Sequence, residues 1–305
     1  MRSSAPGQLS VGLVVPIETY ATSSVPTLED HVQRVQLAEA LGFSAVWLRD
    51  VPFDVPSFGD AGQLYDPFVY LGALAMCTKH IGLGVASTIL PLRHPAHVAK
   101  AAATADVLSN GRLLLGIASG DRPEEYPAMG VPFDERGARF RDSYAYVRQM
   151  GDATPRVVNA FGHVGGAMDM LPKPVADRLP LLITGSSRQT LPWIATHGDG
   201  WMTYPRPATQ QASYLNALRA HAIEAGGSDK PVMEPLYIDL VDNPDAPPTP
   251  LHLGYRLGLN TLHRYLEERR AIGVNHVALN LRFNTGDTAR TLDRLANRLL
   301  VDFAH

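Results

Sequence analysis

IGLGVASTILPLRHP (Ile81–Pro95), AHVAKAAATADVLSNGR (Ala96–Arg112) and LLLGIASG (Leu113–Gly120) follow one another without a break. Two apolar runs flank an alanine-rich helical segment, the order of a parallel βαβ unit. In the helix Val98, Ala101, Ala102, Ala105 and Leu108 form one stripe, and Asn110-Gly111 closes it. Both strands end in Gly, Ala and Ser, small residues that let backbone approach a ligand. Ala86–Ser87 and Ser119–Gly120 are therefore the first places to seek a cofactor.

Working outward, the same alternation covers most of the chain. Leu9–Glu18 and Ser44–Asp50 read as strands, with a helix over Leu28–Leu41 between them and another over Pro67–Thr78. After the central unit come a helix over residues 135–150 and an unassigned Gly- and Pro-rich stretch, Gly151–Leu179. Strands follow at Pro180–Ser187, Gly200–Tyr204, Pro231–Val241 and Val274–Phe283, with helices at Gln189–His197, Ala208–Ala225, Leu251–Ile272 and Asp287–Phe303. Eight strands alternating with eight helices predict a (β/α)8 barrel, and residues 1–305 are expected to form a single domain with loop insertions. A doubly wound pair of domains needs a linker, and none is visible.

Composition narrows the function. Hydrophobic residues make up 45% and charged residues 19%, enough to bury a core and too apolar for a disordered chain. A net charge of -3 with no basic block gives nothing to track a phosphate backbone, so nucleic acid is not expected as a partner. No apolar run is long enough for a membrane helix, and the first residues lack a signal-peptide core, which predicts a cytoplasmic protein. Cys77, the only cysteine, sits in an apolar helix and reads as inert core.

In a parallel barrel, chemistry sits in the loops after the strands. Those loops hold Arg49, Asp50, Ala86, Ser87, Ser119, Gly120, Asp121, Arg122, Gly185, Ser186, Ser187, Arg188 and Trp201. GSSRQT, Gly185–Thr190, precedes a helix: it is either a phosphate cradle or a capped helix with a solvated arginine. Glu124 and Glu125 are acid/base candidates or ordinary solvated carboxylates, and Arg122 is the stronger candidate as an anion ligand. His94-Pro95 reads as a helix start, His163 as part of a lid or a surface loop, and Trp201 as pocket wall. Metal-ligand spacings and the G-x-S-x-G elbow are absent, and the GLG at Gly82–Gly84 lacks the rest of a dinucleotide fingerprint.

LAEALGFSAVWLRD, DPFVYLGALA, the His94-Pro95 to Gly120 block, PLLITGSSRQT and HGDGWMTY together resemble the bacterial luciferase-like flavin monooxygenases, over Gly12 to Tyr204. The resemblance implies a (β/α)8 barrel with FMN, or in a sister branch a deazaflavin coenzyme, lying across the strand ends. It implies ring contact at Ala86-Ser87, through a non-prolyl cis peptide in several members, and phosphate near Ser119–Arg122 and Gly185–Arg188. It also implies a homodimer, for which the alanine-rich helix is a candidate face, and a separate flavin reductase or NAD(P)H as electron source. Two positions depart from the family. Asp50 stands where luciferases carry a histidine, leaving it a weak catalytic candidate, and Ser119 stands where they carry the phosphate arginine. The expected activity is FMN-dependent oxygenation of a small organic substrate; the alternatives are deazaflavin-dependent hydride transfer and flavin binding without turnover.

Overall fold

The structure, a computed structural model, describes residues 7–303. Its strands are β1 Ser10–Val14, β2 Ala45–Leu48, β3 Gly82–Ile89, β4 Leu113–Ala118, β5 Leu181–Thr184, β6 Gly200–Met202, β7 Val232–Leu240 and β8 His276–Asn280. Each pairs in parallel with the next, and β8 pairs back to β1, so the sheet closes. The surrounding helices are α1 His31–Leu41, α2 Pro67–Cys77, α3 Pro95–Leu108, α4 Arg136–Gln149, α5 Leu191–His197, α6 Ala208–Glu224, α7 Leu259–Ile272 and α8 Thr288–Phe303. This is the (β/α)8 barrel that the alternation predicts.

Side-chain period two divides the core. Residues pointing outward, such as Val11, Val46, Leu83, Leu115, Ile183 and Val277, join the helices in the large cluster, while Trp47, Leu182, Met202, Met233 and Ala278 fill the interior. Strands β3 and β4 supply the room for the interior set. A Cβ on Gly84 would lie 2.3 Å from the Trp47 ring, and one on Gly116 would lie 2.5 Å from Met202 Sδ. Those two glycines serve packing inside the barrel, below the strand ends.

His276 holds the floor. Trp47 Nε1 donates to His276 Nε2 at 2.8 Å, which leaves Nδ1–H to meet Ser10 Oγ at 2.8 Å; Ser10 in turn reaches the Asn275 carbonyl at 3.4 Å. Burial pushes the imidazole down to about 3, so it is neutral, and both of its nitrogens have a partner.

Several expectations need correction. Residues 251–272 are not one helix: Thr249–Leu251 and Gly254–Leu257 form a hairpin whose second strand pairs in parallel with β7, and α7 starts at Leu259. Leu251, Leu253, Tyr255 and Leu257 already alternate with period two, and a Cβ on Gly254 would fall 1.8 Å from the Tyr237 carbonyl oxygen. The unassigned region contains a second hairpin, Arg156–Asn159 with Gly162–Gly165, and puts His163 on it, exposed. Cys77 is exposed at the end of α2 rather than buried. The α3 alanines do not form a free face, because Ala99, Ala102, Ala103 and Ala105 are buried within this chain. His94 starts α3 as expected, its Nδ1 accepting the Ala96 N–H.

Candidate active site at the barrel mouth

The end of β3 carries an irregularity that aims backbone at the mouth. Val85 pairs with Leu115 and Thr88 with Ile117, so three steps on β3 match two on β4, a β-bulge. Ala86 and Ser87 are the residues set out of register, both half-buried, and their peptide bond is cis. Ala86 packs against the interior cluster.

At the end of β2, Asp50 is fully engaged. Its carboxylate accepts the Ile89 amide at 3.0 Å and both Nε and Nη2 of Arg93, at 3.0 and 2.8 Å. Arg93 also pairs with Asp66 at 2.7 Å. Such a bidentate pair, buried on its Asp50 side, fixes the segment after β3, and both Asp50 oxygens accept hydrogen bonds. Asp50, the weak catalytic candidate, fastens the Ile89–Arg93 segment.

The loop after β4 folds back on that segment. Tyr126 is wholly buried against Ile89 and Leu92, and its hydroxyl donates to the Ser119 carbonyl. Gly120 has φ +75°, and a Cβ there would sit 2.8 Å from both Ile89 Cγ2 and the Tyr126 hydroxyl, so the strand end is filled by Tyr126. Asp121 is exposed and Arg122 is 6% exposed. Glu125 is 1% exposed, and neither of its carboxylate oxygens has a hydrogen-bond partner. Burial pushes its carboxyl up to about 7; Arg122 opposes this, while Asp50, Asp121 and Glu124 add to it. The nearest cation, Arg122 Nη1, is 3.7 Å away and also lacks a hydrogen bond.

The turn after β5 provides donors. Gly185, Ser187 and Arg188 all have positive φ, at 56°, 45° and 60°. Ser187 Oγ is anchored on the Thr184 carbonyl at 2.8 Å, and Gln189 Nε2 ties the turn to Gly137 of α4 at 2.9 Å. The Ser186 and Ser187 amides and the Arg188 guanidinium carry no hydrogen bond among the described residues. A Cβ on Gly185 would meet nothing within 4 Å, so space lies open above the turn. The helix itself adds little: α5 starts at Leu191, two residues later than expected. Thr190 caps the Trp193 amide, and Pro192 has no N–H to offer.

Trp201 does not line the mouth. It belongs to the outer cluster with Ile183, and its Nε1 donates to the Gly185 carbonyl at 2.8 Å, so it holds the β5 turn from behind. Arg122 also points elsewhere than expected. Its Nη2 donates to the Asp60 carbonyl at 3.2 Å and its guanidinium lies 4.0 Å from the Phe58 ring, toward the loop after β2.

Asp60 was not singled out by any motif, yet it organises this side. Its carboxylate accepts Arg49 at 2.8 Å, the Tyr20 hydroxyl at 3.2 Å and the Gly62 amide at 2.9 Å, and forms an ion pair with Arg282 at 2.8 Å. Burial pushes Asp60 up, but Arg49, the Gly62 amide and Arg282 outweigh it and hold the group below the usual carboxylate range. The one available signal was position: Tyr20, Asp60 and Arg282 all lie in segments that follow barrel strands.

A closed parallel barrel with Arg49, Arg122, Glu125 and Arg282, each keeping an unpaired buried atom, in the loops after its strands has the architecture of a barrel enzyme. The profile of the luciferase-like monooxygenase family matches residues 9–239. The chain belongs to that family. It is similar to an uncharacterized protein of Mycobacterium tuberculosis, 31% identical over 187 residues, covering 56% of this chain and 66% of the relative. It is also similar to the F420-dependent hydroxymycolic acid dehydrogenase of the same organism, 28% identical over 225 residues, covering 72% of this chain and 59% of that one. Among solved structures, an F420-dependent secondary alcohol dehydrogenase superposes with a TM-score of 0.78 at 17% identity, over 96% of this chain and 98% of that one, which shows a shared fold. No helix among the described residues is long and apolar enough to cross a membrane.

Proposed function

We propose that the chain is an FMN-dependent monooxygenase that oxygenates a small organic substrate at the barrel mouth, with electrons from NAD(P)H through a separate flavin reductase. The observation that carries this reading is the Gly185–Arg188 turn, where the Ser186 and Ser187 amides and the Arg188 guanidinium have no hydrogen bond among the described residues and a Cβ on Gly185 would meet nothing within 4 Å. That donor set suits a phosphate monoester. FMN, when bound, supplies the redox chemistry and the site of oxygen activation.

The protein's own residues bind, orient and handle protons. Ser186, Ser187 and Arg188 hold the phosphate, with Trp201 fixing the Gly185 carbonyl behind them. The bulged Ala86–Ser87 segment presents backbone to the ring, and the Asp50–Arg93 pair keeps that segment in place. Ser119 and Gly120, filled by Tyr126, form the wall between the two, and exposed Asp121 stands at its rim. Glu125, enclosed and able to keep its proton near neutrality, is the group that holds a proton at Oε1 or Oε2. A second copy of the chain covers α2, whose outward Val69 and Met76 are 75% and 73% exposed on a helix without a charged residue.

The 28% identical F420-dependent relative favours a second reading, hydride transfer with a deazaflavin. Titration with each cofactor, followed by visible absorbance, separates the two. FMN is expected to bind, to bind about tenfold more weakly to Arg188→Ala, and to support oxygen consumption above the reductase-only background. Binding of the deazaflavin alone overturns the FMN reading. Sedimentation tests the second copy, with Met76→Glu expected to give monomers.

A further inference from the structure

The Asp60 side of the mouth holds more positive charge than the protein neutralises. Arg49, Arg122 and Arg282 all touch residue 60, the first and third through its carboxylate and the second through its carbonyl. Their side chains are 17%, 8% and 11% exposed. The one carboxylate among them is shared by two guanidiniums. Glu125, beside the third, lies 3.7 Å from Arg122 Nη1 with no hydrogen bond to it. Each arginine also keeps a buried N–H without a partner: Arg49 Nε, Arg122 Nη1 and Arg282 Nε. Buried charge in excess of its counter-charge is costly unless something else compensates it.

The surroundings describe what would compensate it. Tyr20 donates to Asp60 and accepts from Arg49, leaving a phenol within the cluster. Phe58 lies over Arg122 and is 48% exposed, so an apolar body has a surface beside the cations. The β5 turn, with its own unpaired donors and Arg188, is a separate cationic pole on the far side of β4.

We infer that Arg49, Arg122 and Arg282 form an oxyanion site for the substrate, so that the substrate of this enzyme is an organic acid or phosphate ester with an apolar body. The inference rests on the cofactor phosphate occupying the β5 turn. The three arginines present N–H groups from loops after β2, β4 and β8, and the oxyanion takes the charge that Asp60 leaves over. The apolar part then lies toward Phe58 and the bulged end of β3.

The test uses the full chain and inorganic phosphate as the probe, read by thermal shift and by calorimetric titration. Wild-type protein is expected to bind phosphate saturably, both alone and with FMN saturating. Arg188→Ala should leave this binding within about twofold, whereas Arg282→Gln should weaken it about fivefold or more. Arg282→Lys, which keeps the charge, controls for folding and should retain most of the affinity. Arg256→Gln, outside the cluster, should behave as wild type. Phosphate binding that disappears with FMN or in Arg188→Ala places the anion in the cofactor cradle and overturns the proposal. So does an absence of saturable binding, or equal binding to Arg282→Gln and wild type. If FMN fails to bind while the Arg282 arms behave as expected, the cofactor reading fails and the anion site stands. With phosphate binding established, benzoate in place of phosphate distinguishes a carboxylate-bearing substrate from a phosphorylated one.

Discussion

The floor and the mouth of this barrel treat buried polar groups in opposite ways. On the floor, Trp47, His276, Ser10 and the Asn275 carbonyl form a hydrogen-bonded chain in which every atom is paired. At the mouth, Glu125 has no partner on either oxygen and three arginines each have an unpaired N–H. The unpaired atoms at the mouth are themselves buried, so burial of the polar atoms does not distinguish the two regions. Satisfaction does: the floor groups are paired with one another, while Glu125 and the three arginines keep atoms without a hydrogen bond.

Breaking the floor gives the largest expected effect. Trp47→Ala removes a fully buried ring and orphans His276 Nε2, and is expected to cost about 3–5 kcal/mol in denaturant unfolding. Acid sharpens the same point. His276 has a folded pKa of about 3 against an ordinary 6.5, so between those values the unfolded chain binds a proton that the native state does not. Its stabilising contribution is complete above pH 6.5 and falls as pH drops toward 3, at up to ~1.4 kcal/mol per unit. In unfolding measured from pH 7 to pH 4, His276→Gln should show a flatter slope than wild type.

At the mouth the sign reverses. Glu125 is raised from 4.5 to about 7, so the native state keeps a proton that the unfolded chain has released. The contribution is whole below pH 4.5 and is lost as pH rises through 7. Glu125→Gln should therefore stabilise the protein at pH 8 by on the order of 2 kcal/mol and change little at pH 4. An equal effect at both pH values would remove the contrast with the floor. The smallest effect is expected at Thr88, wholly buried with a hydroxyl lacking a partner. Paired with Ile117, it faces the helices rather than the mouth, so Thr88→Val should leave both cofactor binding and stability within about 1 kcal/mol of wild type.

What the sequence discloses follows the range of the interactions involved. The eight strands and most helices are legible because apolar periodicity is local, and α3 begins and ends where Pro95 and Leu108 indicate. The hairpin at 249–257 had a period-two signal, but it was masked by the stronger helical pattern that follows it. The site is legible only as strand ends. That rule brings Ala86, Ser87, Arg122 and the Gly185–Arg188 turn together at one face, yet it does not tell which way a side chain turns there. Trp201 shows the cost: one step of period-two alternation separates pocket wall from outer core. Asp60 lay beyond reach for a different reason. Its partners Tyr20, Arg49 and Arg282 come from three separate loops, and no spacing in one chain encodes such a meeting.

The bulge in β3 is, in the end, a matter of counting. If Ser87 were excised, Ala86 would fall opposite Gly116, Thr88 would still face Ile117, and the ladder with β4 would run without interruption. Every residue on either side would keep its face, and the barrel would lose only the backbone it offers at its mouth. One inserted residue therefore separates an uninterrupted ladder from one that turns backbone out at the end of β3.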